Sequence, residues 1–266
     1  VENKGIDANL TFNHHIGKVR YSIGGNFTYA HNKILEMAEA AGTSEYLRKT
    51  GRPIYSYYGY KTDGIFQNQQ EIDAYAKQEV AGSDYVTRPG DIKYVNVNGD
   101  EVVNAGDMTY LGYGNVPEIV YGINGSLAWK NFDLSFLFQG AARRSLMMNG
   151  FHPFGSNANR GVMDFIAKDH WTEDNPNTNA TYPRLSVTDN SNNNVNSTYW
   201  LRNGAFLKLK NAEIGYTHKF FRVYLSGSNL LTFSPFKYWD PEMGGGSGMS
   251  YPTARTFNIG FQFTFK

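Results

Sequence analysis

The sequence predicts an all-β fold: about seven crossing strands that form the C-terminal part of a large antiparallel transmembrane β-barrel with long extracellular loops. Three observations predict it, namely long runs of alternating apolar and polar residues, a sorting of short and long connections, and the lack of a long apolar run. Hydrophobic residues make up 41% of the 266 residues, yet the mean hydropathy is −0.49. A transmembrane helix needs roughly 18 or more apolar residues in a row, whereas a barrel strand alternates and therefore looks soluble on average.

The end of the chain shows the alternation most clearly. Every odd position from Phe257 to Phe265 is apolar, and every even position between them is polar or glycine. A strand in a soluble protein has about 5–6 residues, whereas a tilted membrane strand needs roughly 9–11. The length therefore favours a membrane-crossing strand over a half-buried strand of a soluble sandwich.

Other segments repeat this period-2 pattern, although one of them changes phase. Leu207 and Leu209 lie in one phase, while Ala212, Ile214 and Tyr216 lie in the other, which predicts a bulge or a strand that changes its buried face. The predicted crossing strands lie near residues 5–13, 18–30, 118–130, 132–142, 205–217, 221–231 and 255–266.

The connections between these strands are of two kinds. Short turns are predicted at 14–17, 130–131 and 218–220, and long loops at 31–117, 143–204 and 233–254. Bacterial barrels have short periplasmic turns, long extracellular loops and an even number of strands. Seven strands do not close such a barrel, so further strands are expected upstream. The apolar run 54–60 is interpreted as an extra strand within a loop, and the glycine-rich stretch 244–248 as a flexible external loop.

Charge and composition exclude several functions. The net charge is +1, which gives no reason to expect a nucleic-acid partner. No Ser-His-acid set or carboxylate pair stands out, so no catalytic residues are assigned and no enzyme activity is expected. Two alternatives stay open: a soluble or surface-attached β-sandwich that binds glycans, and an outer-membrane barrel hydrolase.

Four motifs occur in a fixed order along the chain. Residues 59–76 read G-x-x-x-D-G-I-F-Q-x-Q-x-E-I-D-A-Y-A, in which Asn68 and Glu71 form a capping box that predicts a helix over Gln69–Gln78. They are followed by P-G-D-I-K-Y at 89–94, N-G-D at 98–100 and K-N-F-D-L-S-x-x-F-Q-G at 130–140.

This ordered set, from about Ile54 to Lys266, resembles the C-terminal part of SusC/RagA-type TonB-linked outer-membrane proteins. The resemblance implies a plugged barrel, as in the 22-stranded outer-membrane transporters, with the plug and the remaining strands upstream of this chain. It also implies a SusD-like surface lipoprotein over the loops, energy supplied through TonB, and active import of nutrient oligomers, either glycans or oligopeptides. The implied location is the outer membrane of a Gram-negative, Bacteroidetes-like bacterium.

An acidic loop resembles an EF-hand in its spacing. Oxygen ligands at positions 1, 3, 5, 7, 9 and 12 would come from Asn96, Asn98, Asp100, the Val102 carbonyl, Asn104 and Asp107. Asn96 replaces the usual Asp and Glu101 the usual Gly, and both changes weaken binding, while Asp107 stands in place of the usual bidentate Glu. The alternative is a loop held by its own Asx turns. No cofactor is required, and a structural Ca²⁺ is the one metal expected.

Two sets of residues are candidates for cargo contact. Flat aromatic side chains in the loops suit sugar rings, although such residues also form loop cores and membrane girdles. These candidates are Trp171, Tyr182, Trp200, Tyr238 and Trp239. Polar strand residues are expected to face the lumen, namely Asp133, Ser135, Gln139, Asn258, Gln262 and Thr264.

Overall fold

The chain forms one large antiparallel sheet and a layer of folded loops. The computed structural model describes residues 1–150, 161–187 and 190–265. The strands are β1 (Glu2–Ile16), β2 (Val19–Lys33), β3 (Tyr57–Gly59), β4 (Thr62–Ile65), β5 (Lys77–Gln78), β6 (Ile92–Tyr94), β7 (Val102–Val103), β8 (Thr109–Gly112), β9 (Ile119–Trp129), β10 (Phe132–Ala142), β11 (Ser145–Met147), β12 (Leu201–Asn203), β13 (Phe206–His218), β14 (Phe221–Phe233) and β15 (Thr256–Phe263). The helices are α1 (Gln69–Asp73) and α2 (Asp164–Lys168), with 3-10 turns at Glu45–Leu47, Ala105–Asp107, Asn192–Asn194 and Pro241–Met243.

Seven strands build the large sheet, in the order β1-β2-β9-β10-β13-β14-β15. The predicted set of seven crossing strands is therefore confirmed. The bounds differ at the ends: β1 runs for 15 residues, and Lys266 of the last predicted strand lies outside the described residues. His14 and His15, which were expected in a turn, belong to β1, because the turn that follows contains only Gly17 and Lys18.

The register of the sheet places the two classes of side chain on opposite faces. One row across the strands is apolar, and its paired members are Tyr21, Leu127, Leu134, Ile214, Leu225 and Ile259. The row beside it is polar, with Ser22, Ser126, Ser135, Glu213, Ser226 and Asn258. We call these surfaces the apolar face and the polar face. Because period-2 strands paired in register keep their pattern from strand to strand, each face is continuous.

The apolar face remains exposed. Ile259 is 70% exposed, Leu10 77% and Leu134 42%. Monomeric soluble proteins rarely expose contiguous apolar patches larger than a few hundred Å². The described residues form one large sheet with four two-stranded ribbons, not two large sheets packed on each other as in a sandwich. An outward apolar face and an inward polar face are the features of a membrane β-barrel wall.

A bulge in β13 explains the phase change seen in the sequence. Leu209 pairs with Phe138 and Asn211 pairs with Leu137, so Lys210 has no partner on β10. One extra residue shifts the alternation by one position. Leu207 and Leu209 consequently share the apolar face with Ile214, and no change of buried face occurs.

Two local predictions in the first long loop meet different outcomes. The side chain of Asn68 accepts a hydrogen bond from the Glu71 amide at 2.9 Å, as the capping box requires. The helix nevertheless ends at Asp73, not at Gln78, because Lys77–Gln78 forms a strand that pairs with Val102–Val103. The extra strand predicted within 54–60 exists as β3, which pairs with β8 inside the loop.

The long connections fold together instead of standing apart. Their shared hydrophobic core contains Tyr60, Ile92, Tyr94, Val103, Leu146, Met147, Met148, Ile166, Tyr182, Trp200 and Phe236. These residues come from all three long segments between crossing strands, so each segment completes the core of the others. We call this assembly the loop layer. Neither helix of the described residues is long and apolar enough to cross a membrane.

The two faces predict opposite effects for neighbouring substitutions in β15. Ile259→Arg puts a charge on the apolar face and should destabilise the inserted barrel by about 2–4 kcal/mol, because arginine is costly on the lipid face near the midplane. Asn258→Arg, the matched control on the polar face, should cost less than about 1 kcal/mol. Unfolding of the full-length protein from lipid vesicles by denaturant would measure both. Equal costs would contradict the assignment of the faces.

Candidate functional site on the polar face

The polar face carries the residues expected to face the lumen. Asp133, Ser135 and Gln139 pair with Gly215, Glu213 and Lys208 along β10 and β13, and Asn258 and Gln262 pair with Ser226 and Arg222. Thr264 follows the end of β15, where its amide donates to the carbonyl of Phe220 at 2.8 Å. Five of the six predicted residues therefore share one surface of the sheet. Their contact with cargo stays a prediction.

One ion cluster lies on this face near the short turns. Arg222 donates through Nη2 to Glu213 Oε1 at 2.8 Å and through Nε to Asp133 Oδ1 at 3.3 Å. Its Nη2 also contacts the second carboxylate oxygen of Asp133. The cluster joins strands β10, β13 and β14, so Asp133 has a structural partner inside the predicted lumen.

A second cluster fastens the last long loop to the polar face. Lys208 on β13 has only 1% of its side chain exposed and donates from Nζ to Asp240 Oδ2 at 2.5 Å and to Glu242 Oε2 at 2.6 Å. Lys210 reaches the same Glu242 carboxylate at 3.1 Å. We call these four residues the Lys208 cluster. Because a buried ammonium is costly without a partner, the two carboxylates hold the loop against the sheet.

The pKa of the Asp240 carboxyl agrees with the attachment of this loop to the sheet. Burial alone would raise the pKa of the Asp240 carboxyl. The hydrogen bonds from Lys208 and from the Glu242 amide outweigh burial and hold the pKa below its usual value. Asp240 is therefore charged at neutral pH and pairs with the lysine.

The glycine-rich stretch of the same loop is held in place. Gly246 donates to the carbonyl of Met147 at 2.8 Å and accepts from the amide of Asn149 at 2.9 Å. Gly248 has a φ of 69°, and a Cβ there would lie 2.5 Å from the ring of Trp239. Glycine therefore serves close packing here, and the interpretation of 244–248 as a flexible external loop stays a prediction.

A buried carboxylate joins the other two long loops. Asp91, from the P-G-D motif, has no exposed surface. Its Oδ1 accepts from Arg184 Nε at 2.7 Å and from Asn190 Nδ2 at 2.9 Å, and its Oδ2 accepts from the hydroxyl of Tyr85 at 2.8 Å. Burial and the Asp91 charge raise the pKa of Tyr85, which keeps the hydroxyl protonated as a donor. Burial would lower the pKa of Arg184, but Asp91 outweighs it and the pKa is raised.

The aromatic candidates for cargo contact are mainly core residues. Trp171 is 4% exposed, Tyr182 6% and Trp200 4%. Burial raises the pKa of Tyr182 to about 12. Tyr238 and Trp239 are half-buried, and their rings pack on Phe236 with centroid distances of 5.5 and 4.7 Å. Their burial gives these rings a role in the loop core, which is one of the alternatives that the sequence leaves open. Their contact with cargo stays a prediction.

The acidic loop is held by hydrogen bonds from its own amides. Asn96 Oδ1 accepts from Gly99 at 2.7 Å, Asn98 Oδ1 from Asp100 at 3.0 Å, and Asp100 Oδ1 from the Val102 amide at 2.8 Å. Asn104 Oδ1 accepts from Gly106 at 2.7 Å. In the part of the chain that the structure describes, no group of three or more His, Cys, Asp or Glu is arranged to hold a metal. A Ca²⁺ at this loop stays a prediction.

Asp107 is the buried centre of that loop. It has no exposed surface, and its Oδ1 accepts from the amide of Val97 at 2.7 Å while its Oδ2 accepts from the amide of Asn104 at 2.8 Å. Asn104 in turn caps the 3-10 turn at Ala105–Asp107. The carboxylate therefore ties both ends of the loop together.

Sequence reasoning assigned no role to Lys208, Asp240, Glu242 or Asp91. Lys208 offered a signal, because it occupies the polar phase of a strand that ends beside a long loop. Asp91 lies within the P-G-D-I-K-Y motif, yet its partners Arg184 and Asn190 are about a hundred residues away along the chain. No local pattern reveals a partner at that separation.

Comparisons with known proteins agree with this architecture. No protein-family model matches the chain. TonB-dependent receptor P26 of Formosa agariphila is 30% identical over 88% of this chain and 26% of its own length. TonB-dependent receptor P3 of the same organism is 26% identical over 100% of this chain and 29% of its length. TonB-dependent receptor SusC of Bacteroides thetaiotaomicron is 25% identical over 100% of this chain and 26% of its length.

Solved structures show the same fold. The RagAB peptide transporter superposes with a TM-score of 0.70 at 23% identity, covering 99% of this chain and 29% of that chain. The closed-closed state of the RagAB peptide importer gives 0.69 at 24% identity, with 99% and 29% covered. The class that the sheet defines is a partial wall of a large membrane β-barrel. The chain is similar to the SusC/RagA type of TonB-dependent receptor, and it spans about a quarter of the length of the curated relatives it matches.

The Lys208 cluster predicts a ranking of substitutions. The double change Asp240→Asn and Glu242→Gln leaves a buried ammonium unpaired and should destabilise the docked loop by about 3–5 kcal/mol. Lys208→Met should cost less, because the released carboxylates can reach water. Hydrogen exchange of residues 234–255 in the full-length protein measures both. A larger effect of Lys208→Met would contradict the ranking.

Acid should release the same loop. Because the folded pKa of Asp240 lies below its usual value of about 4, its stabilising contribution is complete above that value and is lost as pH falls through the lower folded pKa. The protection of residues 234–255, measured relative to the intrinsic exchange rate at each pH, should therefore fall below about pH 4 in the wild type and change less in the double variant.

A buried carboxylate should matter more than an exposed one in the acidic loop. Asp107→Asn replaces an acceptor that faces backbone amides and should destabilise the loop by about 1–3 kcal/mol. Asp100→Asn, the exposed control, should cost less. Hydrogen exchange of residues 96–107 measures both, and repeating it with Ca²⁺ and with a chelator tests the metal. Protection that is the same with either addition would contradict the calcium prediction.

Proposed function

We propose that this chain forms part of the barrel wall and the loop layer of an outer-membrane transporter that actively imports nutrient oligomers, either glycans or oligopeptides. The observation that supports this proposal most directly is the seven-stranded sheet, which has one continuous apolar face and one polar face. A long loop is held to the polar face by ion pairs to Lys208. The names of the relatives support this proposal, since they are receptors driven through TonB.

In this mechanism the chain is a passive wall, and energy enters elsewhere. Cargo meets the loop layer, whose shared core holds three loops in one orientation. A SusD-like lipoprotein closes over it, and TonB remodels a plug so that cargo passes along the polar face. The polar and charged side chains of that face suit a hydrated path, as lumen residues of barrels do.

The loop layer supports a receptor surface of fixed shape. Asp91 joins the first two loops, and the Lys208 cluster fastens the third to the sheet. Binding to ordered groups avoids the entropy cost of ordering loops when cargo arrives. The relatives named as receptors give no reason to assign catalysis, and no catalytic residues are proposed.

Uptake into cells is the direct test. A strain expressing the full-length transporter should take up labelled oligosaccharide or oligopeptide, and uptake should cease when TonB is deleted or the proton gradient is collapsed, while surface binding persists. Native mass spectrometry of the detergent-purified particle should show a lipoprotein partner and any retained cargo mass. A detergent-free, water-soluble protein, or uptake that is independent of TonB, would overturn the proposal.

A further inference from the structure

Three lysines lie at the tips of the three short turns. Lys18, Lys130 and Lys219 each occupy a two-residue turn, closed by the pairs Ile16–Val19, Trp129–Phe132 and His218–Phe221. We call these lysines the basic rim. Because the order of strands is continuous, the turns lie along one edge of the sheet, with neighbouring turns two strands, or roughly 10 Å, apart.

The basic rim is exposed and not neutralised. All three lysines are exposed, and none contacts a carboxylate among the ion pairs of the described residues. No Asp or Glu occurs in 14–20, 129–132 or 216–222. The nearest acidic residues in sequence, Asp133 and Glu213, are already paired with Arg222. The rim is therefore a local concentration of positive charge in a chain whose net charge is only +1.

Turn geometry does not account for these lysines. Lys130 and Lys219 have φ values of 54° and 49°, in the left-handed region that non-glycine residues rarely adopt. The equivalent position of the first turn is Gly17, with a φ of 57°. Glycine or asparagine fits this region with less steric conflict. Lysine therefore occupies two positions that its backbone preference disfavours, which points to a need for its charge.

An aromatic belt lies directly beside the rim on the apolar face. The rings of Phe132 and Tyr216 are 4.9 Å apart, and those of Trp129 and Phe132 are 6.5 Å apart. Lys130 Nζ lies 4.9 Å from the centroid of the Trp129 ring. Tyrosine and tryptophan belts sit at the level of lipid headgroups. A belt at that level would place the neighbouring lysines at the depth of the lipid phosphates.

We propose that the basic rim binds the phosphate groups of anionic phospholipids in the leaflet on the side of the short turns. The proposal rests on the membrane placement given under the proposed function. Charge complementarity selects this partner, and the rim continues the apolar face that contacts acyl chains. One lysine near an anionic membrane surface strengthens binding of the protein to that surface about fivefold. Three lysines together should therefore favour binding of an anionic over a zwitterionic lipid by more than tenfold.

The test compares lipid retention by the full-length transporter. Protein purified from outer membranes is equilibrated with mixed micelles of phosphatidylglycerol and phosphatidylcholine, and retained lipids are counted by native mass spectrometry. The wild type should retain phosphatidylglycerol preferentially. The triple variant Lys18→Asn, Lys130→Asn, Lys219→Asn should lose roughly tenfold of that preference. It should fold at least as well, because asparagine tolerates the left-handed turn position.

A matched control removes the same charge elsewhere. Lys77→Asn, Lys168→Asn and Lys237→Asn change exposed lysines of the loop layer and should keep the preference. Unchanged preference in the rim variant, or none in the wild type, would overturn the proposal. So would lysine-dependent capture of an acidic soluble protein in detergent without phospholipid. A transporter that inserts and imports without lipid preference would leave the proposed function intact, whereas a failure to insert would refute that function itself.

Discussion

The structure depends on one constraint: in a membrane, each backbone amide and carbonyl needs a partner within the protein. Water is absent from the hydrocarbon core, so an unpaired backbone group costs several kcal/mol. A sheet meets this need through neighbouring strands, and the ladder from β1 to β15 is continuous. The period of two then follows, because each paired strand exposes one side chain to lipid and the next to the lumen. The bulge leaves Lys210 without a partner on β10 but keeps the two faces of β13 continuous with those of its neighbours.

Outside the sheet, the loops satisfy the same requirement by different means. The backbone there is irregular, so amides are paired by side chains, as Asp107 does in the acidic loop and Asp91 does at the P-G-D turn. Gly90 has a φ of 87°, and a Cβ at that position would lie 2.3 Å from the ring of Trp171. The motif thus combines a glycine for close approach with a carboxylate that gathers donors from another loop.

The sheet could be predicted from the sequence because its determinants are local. Alternation fixes the face of each side chain, and the short turns fix three of the six pairs of neighbouring strands, so the strands lie where expected. Five of the six lumen-facing candidates share the polar face, and their place in a lumen stays a prediction. The helix over Gln69–Gln78 was partly wrong because a distant pairing with Val102–Val103 overrode the local pattern. Partners such as Lys208 and Asp240 meet only after the loop folds onto the sheet. An aromatic residue in a loop looks the same in sequence whether it packs in a core or faces cargo.

The two outer strands complete the physical argument. β1 is 15 residues long and pairs with β2 alone, and β15 pairs with β14 alone, so each presents a row of unpaired backbone groups along its outer side. Such edges invite aggregation in water and are forbidden in lipid. Neither edge is protected by a proline or by folded loops in the described residues. The apolar face is therefore stable only when further strands close the sheet around the polar face, which makes the lumen a property of the complete barrel.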